Sequence, residues 1–237
     1  MSAALEVDGL SAGYGRGDIV HDLSITADAG EIVTVIGPNG AGKSTMIKAI
    51  AGVVRPSRGR VRVGGADLAG LAASEIARRG VAYVPQEANV FRQLTVAENL
   101  AIGAWTDPAH AVERRERVHA LFPDLARFAG ARAGTLSGGQ RQMVAFGMAL
   151  MVEPSVLLLD EPSAGLSPVI AEQMFDTIRS VNETGIAILM VEQNAIRALG
   201  ISHRGYVMAA GQVALADTAQ AILASDEVSE LYLGSRR

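Results

Sequence analysis

The sequence predicts an α/β fold with a mainly parallel central sheet, and three observations carry that prediction. Residues 31–36, Glu-Ile-Val-Thr-Val-Ile, form a β-branched run held between Gly30 and Gly37, after which Ile47, Ile50 and Ala51 recur at helical spacing. Residues 156–159 and 186–191 are continuous apolar runs, the pattern of strands buried on both faces. Between Gln86 and Pro154 the strand signals fade and helix signals replace them. One domain with a helical insertion over residues 87–153 is the economical reading of a 237-residue chain without internal repeats or a flexible linker.

In chain order, the strand at 31–36 runs into Gly37-Pro38-Asn39-Gly40-Ala41-Gly42-Lys43-Ser44-Thr45, which is G-x-x-x-x-G-K-[ST]. Backbone N–H groups of such a loop wrap phosphate oxygens, the lysine adds charge and the following hydroxyl reaches Mg²⁺. A helix opening near Lys43 turns its N-terminal amides and positive dipole end toward the same phosphates. The pattern therefore reads as a nucleoside triphosphate site. Lys43 and Lys48 are the two lysines of the chain, every other basic side chain being arginine, which singles out Lys43 further.

Thr95-x-x-Glu98 is a capping box, a charged helix covers about 109–121, and a second capping box, Ser137-x-x-Gln140, leads into Met143, Phe146, Gly147 and Leu150 on one helix face. Two adjacent glycines, Gly138 and Gly139, cost helix stability and allow close backbone approach to an anion. A monomer holding one triphosphate has little use for two such sites, which suggests that each completes a nucleotide bound by the other subunit. The strand at 156–159 delivers Asp160 and Glu161 at its end. An acid anchored in the sheet close to phosphates is placed to hold Mg²⁺ with Ser44. Ser167-Pro168 reads as N-cap and first residue of a helix that Gly185 closes. Two strands about Gly211, within 205–216, and short helices to Leu233 complete the chain.

Composition narrows the function classes. There are no cysteines, so disulfides, thiolate metal sites and cysteine nucleophiles are excluded, and His21, His110, His119 and His203 show no paired ligand spacing. With 21 basic against 25 acidic side chains, the net charge of −4 argues against a nucleic-acid surface. The mixed run Glu113-Arg114-Arg115-Glu116-Arg117 reads as a solvated helix face. No apolar stretch approaches the ~18 residues that cross a bilayer, and Met-Ser-Ala-Ala-Leu-Glu lacks the features of a signal peptide. A cytoplasmic location is expected.

The phosphate loop, Leu136-Ser137-Gly138-Gly139-Gln140 and Val156-Leu157-Leu158-Leu159-Asp160-Glu161, in this order and spacing, resemble the ATP-binding cassette family, the nucleotide-binding subunits of ABC transporters. The resemblance covers nearly the whole chain. It implies a P-loop ATPase core carrying an N-terminal antiparallel β subdomain and the inserted helical subdomain, with ATP and Mg²⁺ as cofactors. By the same resemblance Glu161 is the general base and Gln86 is the glutamine that reaches Mg²⁺ or the attacking water. Tyr14 stacks on adenine. Ser137, Gly138, Gly139 and Gln140 touch the nucleotide held by a second ATPase subunit, identical or related. Partners implied are transmembrane permease subunits and, indirectly, a periplasmic or extracellular binding protein, with the chain peripheral on the inner face of the membrane.

Two positions depart from the commonest pattern of the family. Gln193 stands where a switch histidine is usual, and Ser167 where the pattern has aspartate. Glutamine donates a neutral hydrogen bond and cannot become a cation. Glu192-Gln193-Asn194, Gly165-Leu166-Ser167-Pro168 and Leu231-Tyr232-Leu233-Gly234 are similar to the second ATPase subunit of branched-chain amino acid importers, and urea and amide importers share them. Residues 85–91 are also similar to the lipopolysaccharide-export ATPase. Outside transport, an iron–sulfur assembly ATPase of this fold is the alternative, while DNA-repair relatives insert long coiled coils where about fifty residues separate Gln86 from Ser137 here.

Overall fold

In a computed structural model, residues 3–15, 17–87 and 89–225 are described, and they form two sheets flanked by helices. Strands β1 (Leu5–Gly13), β2 (Asp18–Ala27), β4 (Pro56–Val63) and β5 (Ala66–Asp67) make an antiparallel sheet in the order β2-β1-β4-β5. The second sheet has the order β10-β9-β3-β8-β7-β6. It is built from β3 (Ile32–Ile36), β6 (Val81–Val84), β7 (Val156–Asp160), β8 (Ala187–Val191), β9 (Arg204–Ala209) and β10 (Gln212–Thr218). Its pairings are parallel except for β9 with the terminal β10.

Strands β3, β7 and β8 are buried along their full length, and alternation sorts their side chains onto two layers. Val33, Val35, Leu158, Leu189 and Val191 face the antiparallel sheet and α1 (Lys43–Ile50), together with Met46, Ile47 and Ile50. Leu157, Leu159, Ile188 and Met190 face the opposite side, packed with α6 (Gly138–Leu150) and α7 (Pro168–Asn182) through Val144, Phe146, Phe175 and Ile178. The helix after the phosphate loop and the helix that opens with Gly138-Gly139 thus lie on opposite faces of one sheet.

Between β6 and β7 the chain forms α3 (Val96–Gly103), α4 (Ala111–Leu121), α5 (Pro123–Arg127) and α6, while the short α2 (Ala73–Arg78) precedes β6. Thr95 and Glu98 form the first capping box, Thr95 N–H donating to Glu98 at 2.7 Å. The charged helix starts at Ala111 rather than 109, because Pro108–His110 is a 3₁₀ turn. Its face is less solvated than its sequence suggests: Arg114 is buried, donating to the Met151 carbonyl and pairing with Asp107 and Glu153. Pro168 is the first residue of α7, yet Ser167 caps it only in backbone geometry, since its hydroxyl makes no capping bond. After α8 (Ala195–Gly200) come the two strands about Gly211 and α9 (Ala219–Ala224). The expected helices beyond 225 and the Leu231-Tyr232-Leu233-Gly234 stretch lie outside the described residues.

Candidate nucleotide site

Strand β3 ends at Ile36, and the chain leaves the sheet at Gly37 with φ +150°. A side chain there would bring Cβ within 2.2 Å of the Met208 carbonyl oxygen on neighbouring β9, so the close approach of two backbones demands glycine. Gly42, at φ +95°, occupies the N-cap of α1 and offers no side-chain acceptor, leaving the first-turn N–H groups directed into the loop. The turn between β9 and β10 braces the loop from outside: Gly211 N–H donates to the Ala41 carbonyl at 3.1 Å.

Lys43 is buried, and its ammonium donates to the Gly37 and Pro38 carbonyls at 2.7 and 3.0 Å. Burial lowers its pKa below that of an ordinary lysine, and the Glu161 and Asp160 carboxylates oppose that shift, which places all three charges in one site. Ser44 Oγ donates to Asp160 Oδ1 at 3.1 Å, and Tyr83 OH donates to Asp160 Oδ2 at 3.1 Å. Asp160 is 2% exposed. Burial, and then the charge of Asp160 with the hydrogen bond to it, drives the Tyr83 pKa far up, so Tyr83 stays a neutral donor. Hydroxyl and carboxylate oxygens with no soft ligand fit a small hard dication such as Mg²⁺.

Glu161 takes the left-handed conformation, φ 49°, directly after β7, and its N–H donates to the Val191 carbonyl at 2.9 Å. Such backbone is costly for a non-glycine residue and is found where a side chain must be aimed. Gln86 Nε2 donates to Glu161 Oε2 at 3.0 Å. The structure therefore gathers Lys43, Ser44, Gln86, Asp160 and Glu161 into one cluster beside Gly37, Pro38, Asn39, Gly40, Ala41, Gly42 and Thr45. Gln193 follows β8 and is exposed, and Tyr14 is 59% exposed at the turn between β1 and β2.

The residues Ser137, Gly138, Gly139 and Gln140 are not drawn into that cluster. Ser137 N–H donates to Gln140 Oε1 at 2.9 Å, and Gln140 N–H donates back to Ser137 Oγ at 3.3 Å, closing the predicted capping box. Gly139 has a packing reason that the sequence did not suggest. A Cβ there would lie 2.4 Å from Ile170 Cγ2 of α7.

Sequence reasoning missed four contributors. Tyr83 draws no role from the sequence, Glu192 enters there only as part of a resemblance, and the Met208 and Gly211 backbones have no local signal at all. A tyrosine two residues before a loop that abuts an acidic strand end was the one legible hint.

The ABC transporter family model matches residues 20–164. The chain is similar to the high-affinity branched-chain amino acid transport ATP-binding protein BraG of Pseudomonas aeruginosa, with 44% identity over 97% of this chain and 99% of that protein. It is 41% identical to the probable branched-chain amino acid transport ATP-binding protein LivF of Archaeoglobus fulgidus, over 95% and 96% of the two chains. Identity to the lipopolysaccharide export ATP-binding protein LptB of Acidithiobacillus ferridurans is 37%, over 100% and 99%. Among solved structures, the ADP conformation of MJ1267, an ATP-binding cassette of an ABC transporter, superposes with a TM-score of 0.87 at 27% identity, covering 99% of this chain and all of that one.

Proposed function

Because the chain belongs to the ABC transporter family, we propose that it is the ATP-hydrolysing subunit of a membrane importer for branched-chain or related hydrophobic amino acids. The supporting observation is full-length similarity to branched-chain amino acid transport ATP-binding proteins at 41–44% identity, joined to a phosphate loop beside two hydrogen-bonded pairs, Ser44 with Asp160 and Gln86 with Glu161. Lys43 and the loop N–H groups hold the β- and γ-phosphates, with Tyr14 against the adenine. Ser44 and Asp160 would hold Mg²⁺, which when bound draws charge from the phosphate oxygens. Glu161 takes the proton of the attacking water, and Gln86 keeps its carboxylate aimed. Gln193 donates a neutral hydrogen bond to the γ-phosphate.

Since α1 and α6 lie on opposite faces of the sheet, the start of α6 serves a nucleotide held by a second ATPase subunit. Ser137 and Gly139 meet the γ-phosphate there, flanked by Gly138 and Gln140. No helix among the described residues is long and apolar enough to cross a membrane, and the permease subunits would supply the pathway, fed by a binding protein outside the membrane. A groove of about 270 Å³, lined by Val53, Tyr83, Pro85, Ile102, Trp105 and Met148, lies between the sheet and the helical segment, where a permease helix would dock from the cytoplasmic side.

Glu161→Gln tests the reading. ATP affinity stays within about twofold, while Mg²⁺-dependent turnover falls about 10²- to 10⁴-fold, the usual weight of a general base. Membrane vesicles carrying the co-purifying permease should take up labelled leucine with the wild type and not with the variant. Wild-type activity that moves lipopolysaccharide and no amino acid would favour the export reading, and equal turnover of the two proteins would remove Glu161 as base.

A further inference from the structure

Strands β7 and β8 pair in parallel, and their last partners are Asp160 and Val191. One residue further on, the two chains diverge into loops that carry the proposed base and the switch glutamine. Glu192 sits at that fork, 1% exposed. Its Oε1 accepts from Ser163 N–H at 2.8 Å, two residues beyond Glu161, and its Oε2 accepts from Gln193 N–H at 3.1 Å and from Asn194 N–H at 3.4 Å. The Ser163 hydroxyl also contributes, and no cation pairs with Glu192 among the described residues. An ionised carboxylate is costly to bury without one.

A neutral residue would fill this space more cheaply, so the cost calls for a reason. A carboxylate accepts on both oxygens at once, whereas an amide of the same shape accepts on one. Only the carboxylate holds both loops together. We propose that Glu192 is a positioning residue that locks the turn after Glu161 to the segment presenting Gln193, so that base and switch glutamine hold one geometry relative to the γ-phosphate. The proposal rests on the nucleotide-site reading above.

Two further observations agree with it. The Glu161 N–H bond to Val191 ties the same two chains one residue earlier, so the carboxylate bonds extend the sheet pairing into the loops. Ser163, Gly165, Leu166, Gln193 and Arg197 also line one cleft of about 400 Å³, so both loops face the same space. Burial pushes the Glu192 carboxyl above the usual carboxylate range, opposed by the N–H and hydroxyl of Ser163 and then by the N–H groups of Asn194 and Gln193.

The experiment compares full-length wild type, Glu192→Gln and Glu161→Gln for kcat, KM for ATP and ATP affinity, with amide hydrogen exchange at Ser163 and Gln193. Glu192→Gln should lose about tenfold in kcat with KM and affinity within about twofold, and exchange at one of the two loops should accelerate. A factor of ten in rate is a small change in barrier, as expected of a residue acting through others. Unchanged kcat, or kcat and affinity falling together, would overturn the clamp while leaving the site reading intact. If Glu161→Gln also turns over normally, the site reading falls and the clamp falls with it. Should Glu192→Gln fail to fold, exchange in the wild type decides. Gln193 is exposed, so slow exchange of its amide supports the bond to Glu192, and fast exchange of both amides overturns it.

Discussion

Helix α1 begins at Lys43 behind Gly42, which holds φ +95° and caps nothing with a side chain, whereas α6 begins at Gly138 behind Ser137, whose hydroxyl and N–H exchange hydrogen bonds with Gln140. The first start is built into the sheet: Gly37 lies against Met208, Lys43 is buried, and Asp160 is bonded to Ser44. The second is exposed at Ser137 and Gly138 and complete in itself. Both present N–H groups and a positive dipole end. An uncapped start awaits a ligand from its own chain's pocket, while a self-capped start is stable with nothing bound. Ser137 accepts one hydrogen bond in the cap and keeps its O–H to donate, so it can add a phosphate oxygen without giving up the cap. That difference suits a site met only when a second subunit arrives.

The contrast breaks first at Gly37. Gly37→Ala must move either the loop or the Met208 carbonyl, and the positive φ adds strain of its own. We expect a loss of about 3 kcal/mol, a melting temperature lower by roughly 6–12 °C for a domain of this size, and ATP binding reduced beyond detection in a fluorescent-nucleotide titration. Retention of wild-type affinity and melting temperature would show that the loop can open away from β9 and is not held by it.

A smaller effect, and a sharper one, comes from Ser137→Asp. Aspartate caps a helix about as well as serine, so the melting temperature should stay within roughly 2 °C and ATP should bind the isolated subunit normally. Turnover should nevertheless fall about 10- to 100-fold, because one charge-assisted hydrogen bond of about 1.5–3 kcal/mol is replaced by repulsion between two anions. Normal turnover in this variant would reduce the start of α6 to a capped helix and nothing more.

What was legible in the sequence follows the same division. The phosphate loop, the two capping boxes and the acidic pair are local, each written within a few residues, and each appears where the pattern placed it. Tyr83 and Asp160 are 77 residues apart, and Glu192 and Ser163 are 29 apart, so their hydrogen bonds depend on the strand order β8-β7-β6 and not on any neighbour in the chain. The contact of Gly139 with Ile170 depends on how α6 and α7 pack. Arg114 misled the reading of its helix for a related reason: a charge run looks solvated until Asp107 and Glu153 arrive from elsewhere to bury one member of it. Local chemistry was readable from residue types, and the shell that supports it was not.

The smallest stability effect separates the two adjacent glycines. A Cβ on Gly138 would meet Leu166 Cδ2 at 3.6 Å, an ordinary contact, and alanine in place of glycine adds up to about 1 kcal/mol of helix stability. A Cβ on Gly139 would stand 2.4 Å from Ile170 Cγ2, which forces the α6–α7 contact to shift. Gly138→Ala should therefore leave the melting temperature unchanged or raise it by roughly 2–4 °C, while Gly139→Ala lowers it. If the exposed glycine serves backbone approach to a second subunit's phosphate, Gly138→Ala should still slow turnover severalfold with ATP binding to the isolated subunit intact. Turnover measured beside thermal melting decides between the two roles. A Gly138→Ala protein that is as active as wild type would show that the first glycine is not needed for backbone approach, and would leave Ser137 and Gly139 as the anion contacts of the α6 start.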